Sequence, residues 1–472
     1  MKKNFSQSTL SGLLGLVLIS LMIANAFSQT PVGHHISVKI AGLRDSTCYL
    51  AHAYEAMYAI QDTAKADANG AMVFKGAKKL PGGLYTLAIG KGATFDILIS
   101  DDQDFEVQTD TVMNYRKNLK FTGSTDNELF TEFQNHWMQE AIKKQTVSDV
   151  QKKEIDKALE TYQKEFVKKH EGTFVASILK ANMGIDIPPL APKATRQDTL
   201  AQASYYWNHF WDNFNLGDEK MLRTPFLKPR LDYFLENISY FSSDSTLKVL
   251  DRFLAKTKKN SDLRKYLVMR STYNYEVPKM FILGNDTDVN FIYLAEKYYV
   301  NEPTLWNDTS IVRKIKERVE ILKPLVIGKK IPNMMLTDTL GKVASLWDVK
   351  AKYTVVFMYS PDCHHCQEAT PKLVKAYQDL KAKGIDIKIY APEIDRKEDK
   401  WKKFIHEYKT QPFINVTDHY TVTDFNKVFD ARTTPTMYIV DKDKKIIAKK
   451  IAAEQVEDLI MAVEKQEQKK MK

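Results

Sequence analysis

The sequence predicts a multidomain chain with an N-terminal all-β sandwich, a mainly α-helical middle domain and a C-terminal α/β domain. Three observations carry that expectation. Short alternating runs fill residues 33–121, a helical period takes over from about 126 to 323, and strand-like and helix-like segments then alternate to the end. At 472 residues the chain is also too long for one ordinary hydrophobic core. We place the domains at 29–122, 123–325 and 326–472, after a leader at 1–28.

The leader reads as a signal peptide. Lys2 and Lys3 precede a mostly apolar run at 13–23, and small residues follow at Ala24, Ala26 and Ser28. That run is shorter than the ~20 residues a spanning helix needs, so cleavage after Ala26 or Ser28 is expected. Absence of a nearby cysteine gives no sign of a lipoprotein anchor. The formal charge of +10 is spread over lysines scattered among acidic residues, as at 151–170 and 395–409. Such mixed charge is a solvated surface, so no nucleic-acid partner is expected. There are three cysteines, Cys48, Cys363 and Cys366, too few for an exported disulfide scaffold.

In the first domain, residues 36–40, 47–50, 71–74, 85–89 and 95–99 are β-branched or aromatic runs. Asn69-Gly70, Pro81-Gly82-Gly83 and Asp101-Asp102 punctuate them. Cys48 has no partner cysteine there and is expected to be a buried apolar residue. In the second domain, Leu129, Phe133 and Trp137 mark one helical face, and Leu231, Phe234, Leu235 and Ile238 mark another. Ser124 or Asp126 can cap the first of these helices. The prolines at 188, 189 and 192 demand a loop, and the aromatic stretch 205–211 is read as helix packed against its neighbours.

The third domain opens with a continuous apolar run, 353–359, of the kind a strand buried on both faces requires. Helix 367–383, strand 385–390, helix 397–408, strands 437–440 and 446–449, and helix 453–464 are expected to follow, with a hairpin turn at 441–444. Cys363-His364-His365-Cys366 falls at the junction of the apolar strand and the first helix. Two cysteines at this spacing can close a small reversible disulfide. A helix N-terminus favours a thiolate, which makes Cys363 the nucleophile and Cys366, one turn in, the resolving thiol. His364 and His365 can be cationic and are expected to tune that thiolate. A zinc site is a competing reading, but adjacent side chains converge poorly on one ion and a second ligand pair is missing. A structural disulfide is the other. Pro435, just before the strand at 437, fits a cis bond in a tight turn, leaving the backbone of Thr434 open to an extended substrate.

These residues, with Gly328-Lys-Lys-Ile-Pro-Asn333, Ser345-Leu-Trp-Asp348, Thr433-Thr-Pro-Thr436 and the closing 440–446 segment, resemble the TlpA/ResA-type thioredoxin-like proteins of bacterial envelopes. The resemblance spans about 140 residues. It implies a thioredoxin fold, Cys363 as nucleophile, Cys366 as resolving thiol and Pro435 beside the substrate. Phe357 stands where thioredoxin proper has a buried aspartate, so another proton acceptor is needed. Relatives of this type often place an acid at the position of Glu393, for which a solvated loop glutamate is the alternative. The two upstream domains resemble uncharacterised domains from the same architectures.

The functional expectation is an exported thiol–disulfide oxidoreductase in the periplasm or cell envelope of a Gram-negative bacterium. Its partners would be protein thiols and disulfides together with a membrane electron donor or acceptor. No metal and no cofactor beyond the Cys363–Cys366 disulfide is expected. Reductase or isomerase is slightly favoured over oxidase. Two alternatives are a partner- or ligand-binding protein with a redox-sensing domain, and a thiol peroxidase. The latter would use Ser360 but has Val356 where a proline is required.

Overall fold

The computed structural model describes residues 33–470 except 55–56, 90–92, 111–117, 240 and 277–285. The expected signal peptide lies outside the described residues. The N-terminal part is rich in sheet, the middle is helical and the C-terminal part is a thioredoxin-like domain. By packing, the chain divides into two compact units, 1–186 with 211–229, and 187–210 with 230–472. The stretch 123–325, read from sequence as a single domain, is thus shared between the two units. Local helical periodicity reports which face of a helix is buried but not which neighbour buries it.

In the first unit eight strands form two four-stranded sheets: β1 (His34–Ala41), β2 (Thr47–Tyr54), β3 (Met57–Lys65), β4 (Ala71–Gly76), β5 (Gly83–Ile89), β6 (Ala93–Ile99), β7 (Asp104–Asp110) and β8 (Lys120–Thr122). The orders are β4-β1-β7-β8 and β3-β2-β5-β6. Alternation decides the core. Ile36, Val38 and Ile40 of β1 are buried with Leu50, Leu87 and Ile97 from the other sheet, while Lys39 is exposed. Cys48 sits fully inside this cluster, and burial pushes its thiol up, which leaves it unreactive. Gly70 turns the chain at φ +78°, where a Cβ would lie 2.1 Å from the Ile40 carbonyl oxygen. The helices Thr125–Lys144 and Asp149–Lys169 then pack by Phe133, Tyr162 and Phe166, whose rings meet at 5.3–5.8 Å. Ser124 is the N-cap, but its side chain makes no cap bond. Asp126 accepts instead from the Val175 N–H at 2.9 Å.

In the second unit the predicted face Leu231, Phe234, Leu235 and Ile238 is completely buried. The aromatic stretch falls largely on helix Arg196–His209, where Trp207 and Phe210 pack on Tyr233 and Phe234. The thioredoxin-like domain holds one seven-stranded sheet. Its strands are β9 (Met335–Asp338), β10 (Val343–Ser345), β11 (Tyr353–Met358), β12 (Ile387–Glu393), β13 (Ile414–Thr417), β14 (Thr436–Asp441) and β15 (Ile446–Lys449), ordered β10-β9-β13-β12-β11-β14-β15. Central β11 is parallel to β12 and antiparallel to β14. Its continuous apolar run is explained by two cores. Tyr353, Val355 and Phe357 join one with helices His364–Ala382 and Val456–Lys470, and Val356 and Met358 join the other with helix Phe425–Phe429.

A buried charge network fastens the upstream helices of this unit to the domain. Asp286, Asp288 and Arg318 face Asp430, Lys449 and Lys450, so three carboxylates meet three cations. Arg318 grips Asp430 with both terminal nitrogens, Nη2 to Oδ2 at 2.7 Å. Lys449 reaches Asp286 and Asp288, each at 2.9 Å, and donates to the Leu325 carbonyl. Lys450 bridges Asp288 at 3.2 Å and Asp430 at 3.1 Å. Burial pushes the Asp288 and Asp430 carboxyls up, but the facing cations overcome it and hold both below the usual range.

Arg318→Ala leaves Asp430 buried without its bidentate partner. The expected loss is about 3–5 kcal/mol in urea unfolding of the full chain at neutral pH. Because both carboxyls are depressed in the folded state, their contribution is complete above the unfolded-state value of about 4 and is lost as pH falls from there through their lower folded-state values. Urea midpoints should therefore be flat from pH 7 to 5 and drop below pH 4, and Asp430→Asn should lessen that drop.

Candidate active site

Strand β11 delivers the chain to a tight turn, and helix His364–Ala382 starts directly after it. Cys363 is the N-cap of that helix, in extended conformation at φ −82°, ψ 116°. A serine or aspartate is usual there because its oxygen accepts an orphan N–H; here the sulfur does so, taking the Cys366 N–H at 3.3 Å. Its thiol also donates to the Thr434 carbonyl at 3.3 Å. The Thr434–Pro435 peptide is cis, and the Thr434 N–H has no partner among the described residues. One side of Cys363 therefore faces a helix start and the other a substrate-accessible turn.

The two thiols are strongly differentiated. Both are free. Burial pushes Cys363 up, yet hydrogen bonds from the Cys366 thiol, the Thr434 side chain and the Cys366 and His365 N–H groups outweigh it, and the thiol sits below its ordinary value. Cys366 is completely buried, and that burial, with the bond to Cys363, pushes it up to about 12. The partly exposed thiol is the ionisable one, and the hidden thiol holds its proton.

Structure assigns other candidates different work. His364 and His365 occupy the first helical positions and project outward, with 77% and 80% of their side chains exposed. Both face Glu368, at 3.2 and 3.7 Å, and among the described residues neither imidazole bonds a cysteine sulfur. Thiolate stabilisation comes from the Cys366 thiol, the Thr434 side chain and main-chain N–H groups. Any contribution from the imidazoles crosses solvent and is screened by it.

Glu393, far from being a solvated loop residue, is fully buried at the end of β12. It accepts from the N–H groups of Asp395 and Arg396 at 2.8 and 2.9 Å and from the Thr417 hydroxyl at 2.8 Å. Burial pushes its carboxyl up against those bonds. No hydrogen bond joins it to either cysteine among the described residues, and its own bonds brace the loop after β12. Phe357 is buried and stacks on Tyr359 at 5.1 Å, filling with an aromatic layer the place of a buried acid. Ser360 bonds Asp395.

Sequence reasoning missed the far wall of the site. A cavity of about 810 Å³ is lined by His365, Thr433 and Pro435, chain neighbours of Cys366 and Thr434, though by neither cysteine, and Tyr273, Glu276 and Arg318 from the upstream helices line it too. Asp430, held by Arg318, lies five residues before Pro435, so the network anchors the turn that presents Thr434. No local pattern links positions 112 residues apart. Among the described residues, no group of three or more His, Cys, Asp or Glu is placed to hold a metal ion.

A strand–turn–helix carrying an N-capping thiol, opposite a cis-proline turn, defines a thioredoxin-type site. Residues 327–449 match the AhpC/TSA family. Upstream, residues 34–130 and 167–322 each match a domain of unknown function. The thiol-disulfide oxidoreductase ResA of Bacillus cereus is 29% identical over 133 residues, 28% of this chain and 74% of that protein. Among solved structures, a domain of a possible thiol-disulfide isomerase from Cytophaga hutchinsonii is 42% identical, covering 31% of this chain and 98% of that one, at TM-score 0.29. A thioredoxin-like protein from Bacteroides caccae is 19% identical, covering 59% and 99%, at TM-score 0.48. The C-terminal domain is a thioredoxin-like domain of the kind found in thiol–disulfide oxidoreductases, and it is similar to ResA.

At pH 7 iodoacetamide should label the reduced, folded protein once, at Cys363, with Cys48 and Cys366 reacting only after unfolding. Mass spectrometry of the labelled peptides reads this directly. Cys366→Ala removes a donor to the Cys363 sulfur, so the pH midpoint of Cys363 alkylation should rise.

Proposed function

We propose that the protein is an exported thiol–disulfide oxidoreductase of the periplasm or cell envelope that acts on protein thiols and disulfides through Cys363 and Cys366. The observation that carries this reading is the split between the two thiols, one lowered at a helix start, the other buried and raised. In the reducing direction, the Cys363 thiolate attacks one sulfur of a substrate disulfide. A mixed disulfide forms and the other substrate sulfur leaves as thiolate, taking up a proton. Cys366 then attacks the Cys363 sulfur and closes the internal disulfide, and its proton passes to the departing substrate sulfur, which leaves as the second thiol. Two electrons pass from the chain to the substrate. The internal disulfide is the only redox group required, and a membrane thiol donor would restore it.

Reductase or isomerase is favoured over oxidase. A strongly oxidising pair needs its thiolate stabilised well beyond what the helix start supplies. The histidines that would do so are solvated and turned toward Glu368. Val356, completely buried within β11, leaves the position a peroxidase needs for proline without one.

The test is a trap. Cys366→Ala, incubated with oxidised glutathione, should accumulate a glutathione adduct at Cys363, visible by mass spectrometry. The same adduct should be absent from Cys363→Ser. An adduct at Cys48, or at none of the three cysteines, contradicts the assignment.

A further inference from the structure

The cavity beside the cysteine pair is walled on one side by the thioredoxin-like domain and on the other by helices Asp262–Glu276 and Thr309–Leu322. A thioredoxin-type domain on its own offers its substrate one face. We propose that here the upstream helices form the second wall of a substrate groove, and that Tyr273 contacts the extended polypeptide flanking the reactive cysteine. This deepens the oxidoreductase reading and rests on it.

Three features select that occupant. The groove begins at Thr433 and Pro435, where the Thr434 N–H is open to strand-type pairing with an extended backbone. Its volume, about 810 Å³, lies in the upper part of the ~300–1,000 Å³ range of ligand sites, more than a lone disulfide fills. Acidic and basic side chains line it in equal number, so its field does not favour a small anionic disulfide such as oxidised glutathione. Polypeptide, neutral along its backbone and mixed in its side chains, suits such a lining.

Tyr273 is the contact residue the geometry singles out. It is 56% exposed on a helix whose Tyr266 and Tyr275 are buried, and it faces a groove floored by Met437 and Ile451. An exposed aromatic ring is a rigid contact of low entropic cost, well suited to a chain that varies in sequence. The wall holds its place because Arg318, on the neighbouring helix, is locked to Asp430 and lies 3.7 Å from Glu276. Glu276 also faces Arg432 at 3.8 Å, across the groove rim.

The experiment compares two disulfides on the pre-reduced full chain. One is oxidised glutathione; the other is a peptide of about ten residues whose central cysteine carries glutathione. The readout is the ratio of their second-order rate constants. In Tyr273→Ala the ratio, peptide over glutathione, should fall about fivefold, the size of an aromatic contact, and Tyr273→Phe should restore it. A ratio equal to wild type in Tyr273→Ala overturns the groove, whether both rates stay or both drop. If the wild-type chain exchanges with neither disulfide, the oxidoreductase reading itself fails, and the groove proposal with it.

Discussion

The site depends on a buried set of charges distant in sequence. Arg318, Asp286 and Asp288 on the helical side carry one net negative charge; Asp430, Lys449 and Lys450 on the domain side carry one net positive charge. Neither set is stable alone away from water, since an unpaired buried ion costs several kcal/mol. Together they neutralise each other and satisfy their hydrogen bonds. Asp430 is the pivotal member, because it stands in the left-handed backbone position (φ 49°) that ends helix Phe425–Phe429 and starts the path to Pro435. Holding it fixes the turn that faces Cys363. Replacement by apolar residues can make buried ion pairs more stable, so their use here is better understood as specifying one arrangement of helices against domain.

Within that frame the chemistry requires few groups. The Cys366 thiol, the Thr434 side chain and main-chain N–H donors at a helix start lower one thiol, and burial raises the other. Neither effect needs a charged side chain at the position that Phe357 occupies. The aromatic stack of Phe357, Tyr359 and Phe404 instead makes the region behind Cys366 dry. A dry surrounding keeps Cys366 protonated until the mixed disulfide brings an electrophilic sulfur beside it.

Much of this was legible in the sequence. Cys363 and Cys366 announced themselves by spacing and by their place after a buried strand, and Pro435 by its position before another. Helix and strand identities in the C-terminal domain followed from strong periodicity. Short elements escaped: β9, β10 and β13 are three or four residues long, too few to show alternation, and depend on their sheet neighbours. The burial of Glu393 was not legible, since an acid after a strand looks the same whether solvated or buried under its own loop. Nor was the far wall, because Tyr273 and Arg318 meet the cysteine pair only through tertiary packing.

The reduction potential of the Cys363–Cys366 couple, measured by glutathione titration of the full chain, tests the account most directly. A reversible two-electron couple with a midpoint between about −270 and −180 mV, absent from Cys363→Ser, is the expected result. A midpoint near −120 mV would contradict the screened-histidine argument and make the chain an oxidant. Absence of any reversible couple would remove the oxidoreductase reading altogether.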